Sequence, residues 1–289
     1  MDAPGAVLAR LRKALGHGAD SLLGAVNCAI PSELLHLPGP DWVERVLAPT
    51  DRPIPVLRNA QAIIDAGRLG GTGHVMILSA ELPPNPDIIH RDIENTVKLA
   101  IESGCSAISA PPAGLSRAAR RHAHRIPFIV ELPDLPPREL AAELRRARDM
   151  GAVGVRRIDA AQKAAREKGL PTLPPSPQGE WGEALECGLV LLGLEQLPGD
   201  FVVAHHAPER IGDAREQIAR SGCGRAGLLH PLDGARGATS ELASAVASKR
   251  AGAMGLVVSG RVLSLNFDDA VAVLHELQEV LLCEDIEVV

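Results

Sequence analysis

The sequence contains no tyrosine, and only two tryptophans and three phenylalanines stand among its 289 residues. Its core must therefore be aliphatic, and a chain of this length has enough surface to bury one. Cysteine is sparse as well. Cys28, Cys105, Cys187, Cys223 and Cys283 are odd in number, scattered, and never spaced as CxxC. That pattern argues against a zinc knuckle and for a reducing compartment. An excess of positive charge is also missing: the formal net charge is −6. An acidic balance argues against nucleic acid or an anionic membrane as partner. Nor is there a long uncharged apolar run at the start, where Arg10, Arg12 and Lys13 interrupt the apolar residues. No signal peptide and no membrane span are expected, and the expected location is cytoplasmic.

What the chain does contain is a recurring alternation of short apolar runs with helical segments. Its closing portion is the clearest. Ala226–Leu229 and Met254–Val258 are apolar without alternation, as strands buried on both faces are. Between them lie a glycine-rich turn at residues 233–237 and an Ala-rich helical segment stopped by Gly252. Earlier strands are expected at 74–78, 105–109, 126–130, 152–155, 170–173 and 189–194. Helices are expected between them, with a final amphipathic helix over 266–282. The segment 201–204 stays open between a further strand and a loop. Eight strands alternating with helices predict an α/β fold of the (β/α)8 TIM-barrel class, one structural domain overall. Residues 1–73, helical in part and rich in Pro and Gly, are expected to form a leader packed on a barrel of residues 74–289.

Several ordered blocks carry a family resemblance. They are Leu57-Arg-Asn59 with Gly67-Arg-Leu-Gly-Gly-Thr-Gly73, then Lys98–Gly104, Arg120–Val130, Met150–Val153, Gly224–Gly227 and Lys249–Gly255. Together they make the chain resemble the bacterial DhnA-type class I fructose-bisphosphate aldolases over nearly its whole length. The exception is about residues 156–215, where it is shorter than the family pattern. The resemblance implies a TIM barrel of the class I aldolase type, irregular or shortened around strands four to six. It also implies an oligomer and no cofactor or metal.

The family forms a Schiff base through a lysine on strand six, in an Ala-Asp-Ile-Val-Lys context, because an iminium serves as electron sink for C–C cleavage. Matching that strand to Gly188–Glu195 puts the lysine position on Gly193. The chain's lysines, Lys13, Lys98, Lys163, Lys168 and Lys249, all fall in expected helices. Other departures lie at chemical positions too. The acidic loop after strand one becomes Ala80-Glu81-Leu82, the lysine after strand three becomes Glu131, and the phosphate loop after strand seven becomes Pro231-Leu-Asp-Gly234. These changes point to a catalytically silent homologue with a structural or regulatory role, alone in a homo-oligomer or with an active aldolase.

The competing expectation is an active barrel enzyme working on a phosphorylated sugar or another small molecule. Glu81, Glu131, Glu195 and His230 would be its acid–base or metal-assisting groups, all expected at the C-terminal rim. For either reading, Arg156, Gly234, Ser259, Gly260 and Arg261 are the candidates for binding a phosphorylated ligand, since glycine allows close backbone approach and arginine suits phosphate.

Overall fold

The computed structural model describes residues 5–80, 93–133, 135–158, 184, 187–194, 199–232 and 237–289. Eight parallel strands close into a barrel in sequence order. They are β1 Val75–Ser79, β2 Ala107–Ala110, β3 Phe128–Pro133, β4 Gly154–Ile158, β5 Val190–Leu194, β6 Phe201–Val203, β7 Gly227–Leu232 and β8 Gly255–Val258. The wall is continuous where the sequence suggested irregularity, because β4 pairs directly with β5 through Gly154 and Val190.

Two expectations need correction. The run at 189–194 is the fifth strand, not the sixth, and the undecided segment at 201–204 supplies β6. The expected strand at 170–173 lies outside the described residues. β6 stayed open between strand and loop because it has only three residues, too few for any periodicity to decide. In addition, β1, β2, β3, β4 and β7 start and end later in the chain than their apolar runs suggest. The first residues of each run belong to the turn that leads into the strand. The shift matters for function, because it brings Ser79, Glu131 and His230 into strands rather than just past them.

Alternation sorts each strand's residues between the barrel interior and the surrounding helices. Ile77, Ile129, Leu192 and Leu229 form an interior layer, packed in one cluster with Val75, Ala107, Val190, Phe201, Val203 and Val257. The opposite faces, among them Leu78, Ile108, Val130, Val202, Leu228 and Leu256, meet the helices in a second cluster. Phe201 takes up far more room than its neighbours in the interior, and Gly227 makes that possible: a Cβ there would stand 2.7 Å from the ring.

The leader closes the N-terminal end of this interior. A π-helical turn at Val43–Leu47 and α3, Ile54–Asp65, contribute Val46, Leu47, Val56, Ile63 and Ile64 to the interior cluster. Trp42 is fully buried, stacks on Phe201 at 5.8 Å between ring centroids, and donates from its indole N–H to the Gly224 carbonyl. On α3, Asn59 donates to the Gly188 carbonyl ahead of β5.

The other helices are α1 Ala6–Leu15, α2 Ala19–Leu23, α4 Ile93–Glu102, α5 Pro112–His122, α6 Pro137–Asp149, α7 Ile211–Arg220, α8 Ala238–Ala251 and α9 Phe267–Leu282. Asn266 caps α9 by accepting from the Asp269 N–H at 2.9 Å, which satisfies one of the helix's free donors. α8 is buried on nearly every side, because α1, α2, α7 and α9 all pack on it. Among the described residues no helix is long and apolar enough to cross a membrane.

Candidate functional site

The strand pairings place Ser109, Arg156, Val203 and Val257 in one interior layer, above the aliphatic layer of Ile77 and Ile129. Ser79 and Glu131 stand one layer higher, toward the C-terminal ends of the strands. The upper interior is thus polar on the β1–β4 side, while Val203 and Val257 keep the far side apolar. Serine, glutamate and arginine at interior positions cannot be explained by packing, which elsewhere in this barrel uses aliphatic side chains.

Glu131 is the hub of the polar half. It is 1% exposed, and its Oε1 accepts from Ser109 Oγ at 2.7 Å and from Ser79 Oγ at 2.9 Å. Arg156 Nη1 lies 3.3 Å from the same oxygen and donates to Ser79 Oγ at 3.0 Å. A buried carboxylate needs this kind of support, since an isolated charge would be costly there. The support is one-sided. Glu131 Oε2 and Arg156 Nε are both buried with no hydrogen-bond partner among the described residues.

Other candidates lie elsewhere. His230 was expected at the rim beside Glu131, and this is corrected. It shares the outward face of β7 with Leu228 and Leu232, is fully buried, and its Nε2 lies 2.8 Å from Gln217 Oε1 on α7. The one-residue alternation of a strand sends it away from the mouth. Burial, and to a lesser degree the nearby His206, pushes its pKa down to about 3.

Arg261 follows β8 in the 3-10 turn Gly260–Ser264 and is held by Glu241 on α8, with Nη2 2.8 Å and Nε 3.2 Å from one carboxylate oxygen. Its charge is therefore already matched within the chain. Gly260 takes a left-handed φ of 63°, and Ser259 donates its N–H to the Leu232 carbonyl, so both serve the turn that carries Arg261. Glu81, Glu195 and Gly234 lie outside the described residues.

Gly193 is on β5, paired with the outward-facing Val202, so it neither stands on the sixth strand nor faces the interior. Among the described residues no strand contains a lysine. Lys98 and Lys249 sit on α4 and α8, and Lys249 is buried with its ammonium donating to the Cys283 carbonyl. Lys163 and Lys168 lie outside the described residues. Among the described residues no three His, Cys, Asp or Glu side chains gather as a metal site.

The signal missed in the sequence was the pair Ser79 and Ser109, together with their meeting with the candidate Arg156 on Glu131. Two serines at the ends of apolar strands are unremarkable until the barrel closes and brings them onto one carboxylate.

A closed parallel barrel with helices outside and a buried polar cluster near the strands' C-terminal ends defines a (β/α)8 barrel protein. Comparison with known proteins refines that class. The chain is 31% identical over 338 aligned positions to a protein of Chlamydia muridarum named "Probable fructose-bisphosphate aldolase class 1", covering 93% of this chain and 96% of that one. A Chlamydia trachomatis protein of the same name matches at 31% identity, with 93% and 96% coverage.

The chain belongs to the class 1 fructose-bisphosphate aldolase family. The aligned span exceeds the chain's own 289 residues, so these relatives carry additional residues within the aligned region. No family model matches the sequence. Among solved structures, a mutant tryptophan synthase α-subunit from Pyrococcus furiosus matches at 15% identity and a TM-score of 0.43, covering 72% of this chain and 97% of that one. A likeness at that level bears on neither substrate nor chemistry.

Proposed function

We propose that this chain is a catalytically silent member of the aldolase family, with a structural or regulatory role as a subunit. The observation that carries the reading is Val203. Once β6 is the strand Phe201–Val203, the family context Ala-Asp-Ile-Val-Lys falls on Gly199-Asp-Phe-Val-Val203, and valine takes the place of the Schiff-base lysine. The preceding aspartate is retained, and its role here is to hold the fold. Asp200 is fully buried, accepts from the Leu191 N–H at 2.9 Å, and pairs with Arg52 of the leader at 2.6 Å. Frame residues thus persist around a position that has lost its nucleophile, and an aliphatic side chain cannot form an iminium. The engagement of Arg261 by Glu241 supports the same reading, since a phosphate would have to compete with a partly buried carboxylate.

Borohydride reduction of the protein with dihydroxyacetone phosphate or fructose 1,6-bisphosphate, read by intact mass, tests it. No covalent adduct is expected. A stable adduct, mapped to any lysine, overturns the reading. The subunit role is tested by the mass in solution, alone and mixed with an active aldolase of the family. A monomer that captures no aldolase removes it.

A second reading, an active barrel enzyme working by proton transfer, has Glu131 in its favour. A carboxylate held through one oxygen and open at the other has the form of a general base. Proton exchange into a carbonyl substrate, absent in Glu131→Gln, would establish it.

A further inference from the structure

The two unpartnered atoms in the mouth define a ligand by their chemistry. Glu131 Oε2 is an acceptor and Arg156 Nε–H a donor, both buried and both without partners among the described residues. Leaving such groups unsatisfied is costly, so native structures rarely do it without a reason. The same pair fixes the charge of what would bind. Glu131 and Arg156 are already an ion pair, 3.3 Å apart, so the cluster has no net charge to offer. A phosphate or carboxylate placed at Glu131 meets a like charge, and an ammonium placed at Arg156 does too. A hydroxyl carries neither penalty and can donate to one group and accept from the other. The opposite side of the same layers, Val203 and Val257, is apolar and fits the C–H face of such a molecule.

We infer that the barrel mouth binds an uncharged hydroxylated small molecule of the sugar or polyol class, with a hydroxyl donating to Glu131 Oε2 and a ligand oxygen accepting from Arg156 Nε. The inference concerns ligand chemistry and goes beyond the loss of the lysine. It holds whether the chain is silent or active, so the borohydride experiment and the binding experiment fail separately.

The test is binding of a panel by titration calorimetry or ligand-observed NMR. Its neutral members are glycerol, erythritol, xylitol, glucose and fructose, and its charged members are inorganic phosphate and dihydroxyacetone phosphate. At least one neutral compound is expected to bind saturably and more tightly than both anions. Glu131→Gln places N–H donors where a carboxylate accepted and leaves the Arg156 charge uncompensated. It should weaken the neutral ligand about tenfold or more and bring in binding of inorganic phosphate. His230→Gln alters a buried residue on the outward face of β7, outside the cluster, so it should keep the neutral ligand within about threefold. This variant also guards against a general loss of fold, which circular dichroism on each protein checks directly. Anions binding more tightly to the natural chain, no saturable binding of any neutral compound, or equal binding by folded Glu131→Gln would each overturn the inference.

Discussion

At the scale of single residues, Val203 and His230 make the sharpest predictions. Val203 is 2% exposed in the layer that also holds Arg156. A lysine introduced there would be largely desolvated and near a fixed positive charge, and both effects lower an amine's pKa and favour the nucleophilic form. Val203→Lys is therefore expected to give a borohydride-trapped adduct with dihydroxyacetone phosphate, where the natural chain gives none. Intact mass after reduction reads the outcome, and an untrapped but folded variant would sever Val203 from the lysine position. His230 predicts a pH effect. Burial holds it neutral in the fold, its pKa near 3, and the half-buried His74 is held near 4 by desolvation. Unfolded histidines take up protons below about 6.5, so the unfolded state binds more protons than the native one as pH falls. The stabilising contribution is complete above about 6.5 and is lost progressively toward the native values. His230→Gln should shrink the drop in melting midpoint between about pH 7 and about pH 4.5. An unchanged drop would place the acid sensitivity in other groups.

Secondary elements show why some of this architecture was legible in the sequence and some was not. The glycine-stopped helix α8 and the apolar runs of β7 and β8 announced a closing unit of a parallel barrel, and the structure has it. Strand identity was readable because parallel strands buried on both faces are continuously apolar. Strand direction was not: whether His230 faces the mouth or α7 turns on a one-residue register, and only the closed pairing fixes it. The same limit hid the cluster of Ser79, Ser109 and Arg156, and it misplaced β6 by one strand. The leader was expected to pack on the barrel, but its entry into the interior was not legible; there Trp42 meets Phe201 across 159 positions of sequence, beside Val46, Leu47, Val56, Ile63 and Ile64. Trp42→Ala would empty a fully buried site and leave the Gly224 carbonyl without its donor. A loss of about 3–5 kcal/mol in unfolding free energy is expected, measured by urea titration. A loss below about 1 kcal/mol would mean that the leader does not support the barrel.

For the whole molecule, the question is whether leader and barrel unfold as one unit, and three buried cations bear on it. Arg250 of α8 is 7% exposed and donates at 2.7 Å to the carbonyls of both Leu22 and Gly24, with a longer contact to the Glu287 carbonyl. Arg215 of α7 is 1% exposed and reaches the Ile30 carbonyl at 2.7 Å and the Val289 carbonyl. Lys249 binds the Cys283 carbonyl from the same helix as Arg250. Residues 22–30 and the last seven are thus fastened by side chains of the barrel's own helices, with each cation solvated by peptide oxygens instead of water. Removing a cation that holds several carbonyls strands those acceptors at once. Arg250→Met keeps the aliphatic stem and deletes only the donors. It should cost about 1–3 kcal/mol and leave a single unfolding transition, because the freed carbonyls belong to both the leader and the C-terminal segment. Circular dichroism and tryptophan fluorescence, measured in a Trp181→Phe background, separate the alternatives, since Trp42 then reports the leader and ellipticity reports the barrel helices. Coincident melting of both signals at a lower midpoint is the expected result. A fluorescence transition that precedes the loss of ellipticity would show instead that the leader is a separable cap, released once its arginine anchor is gone.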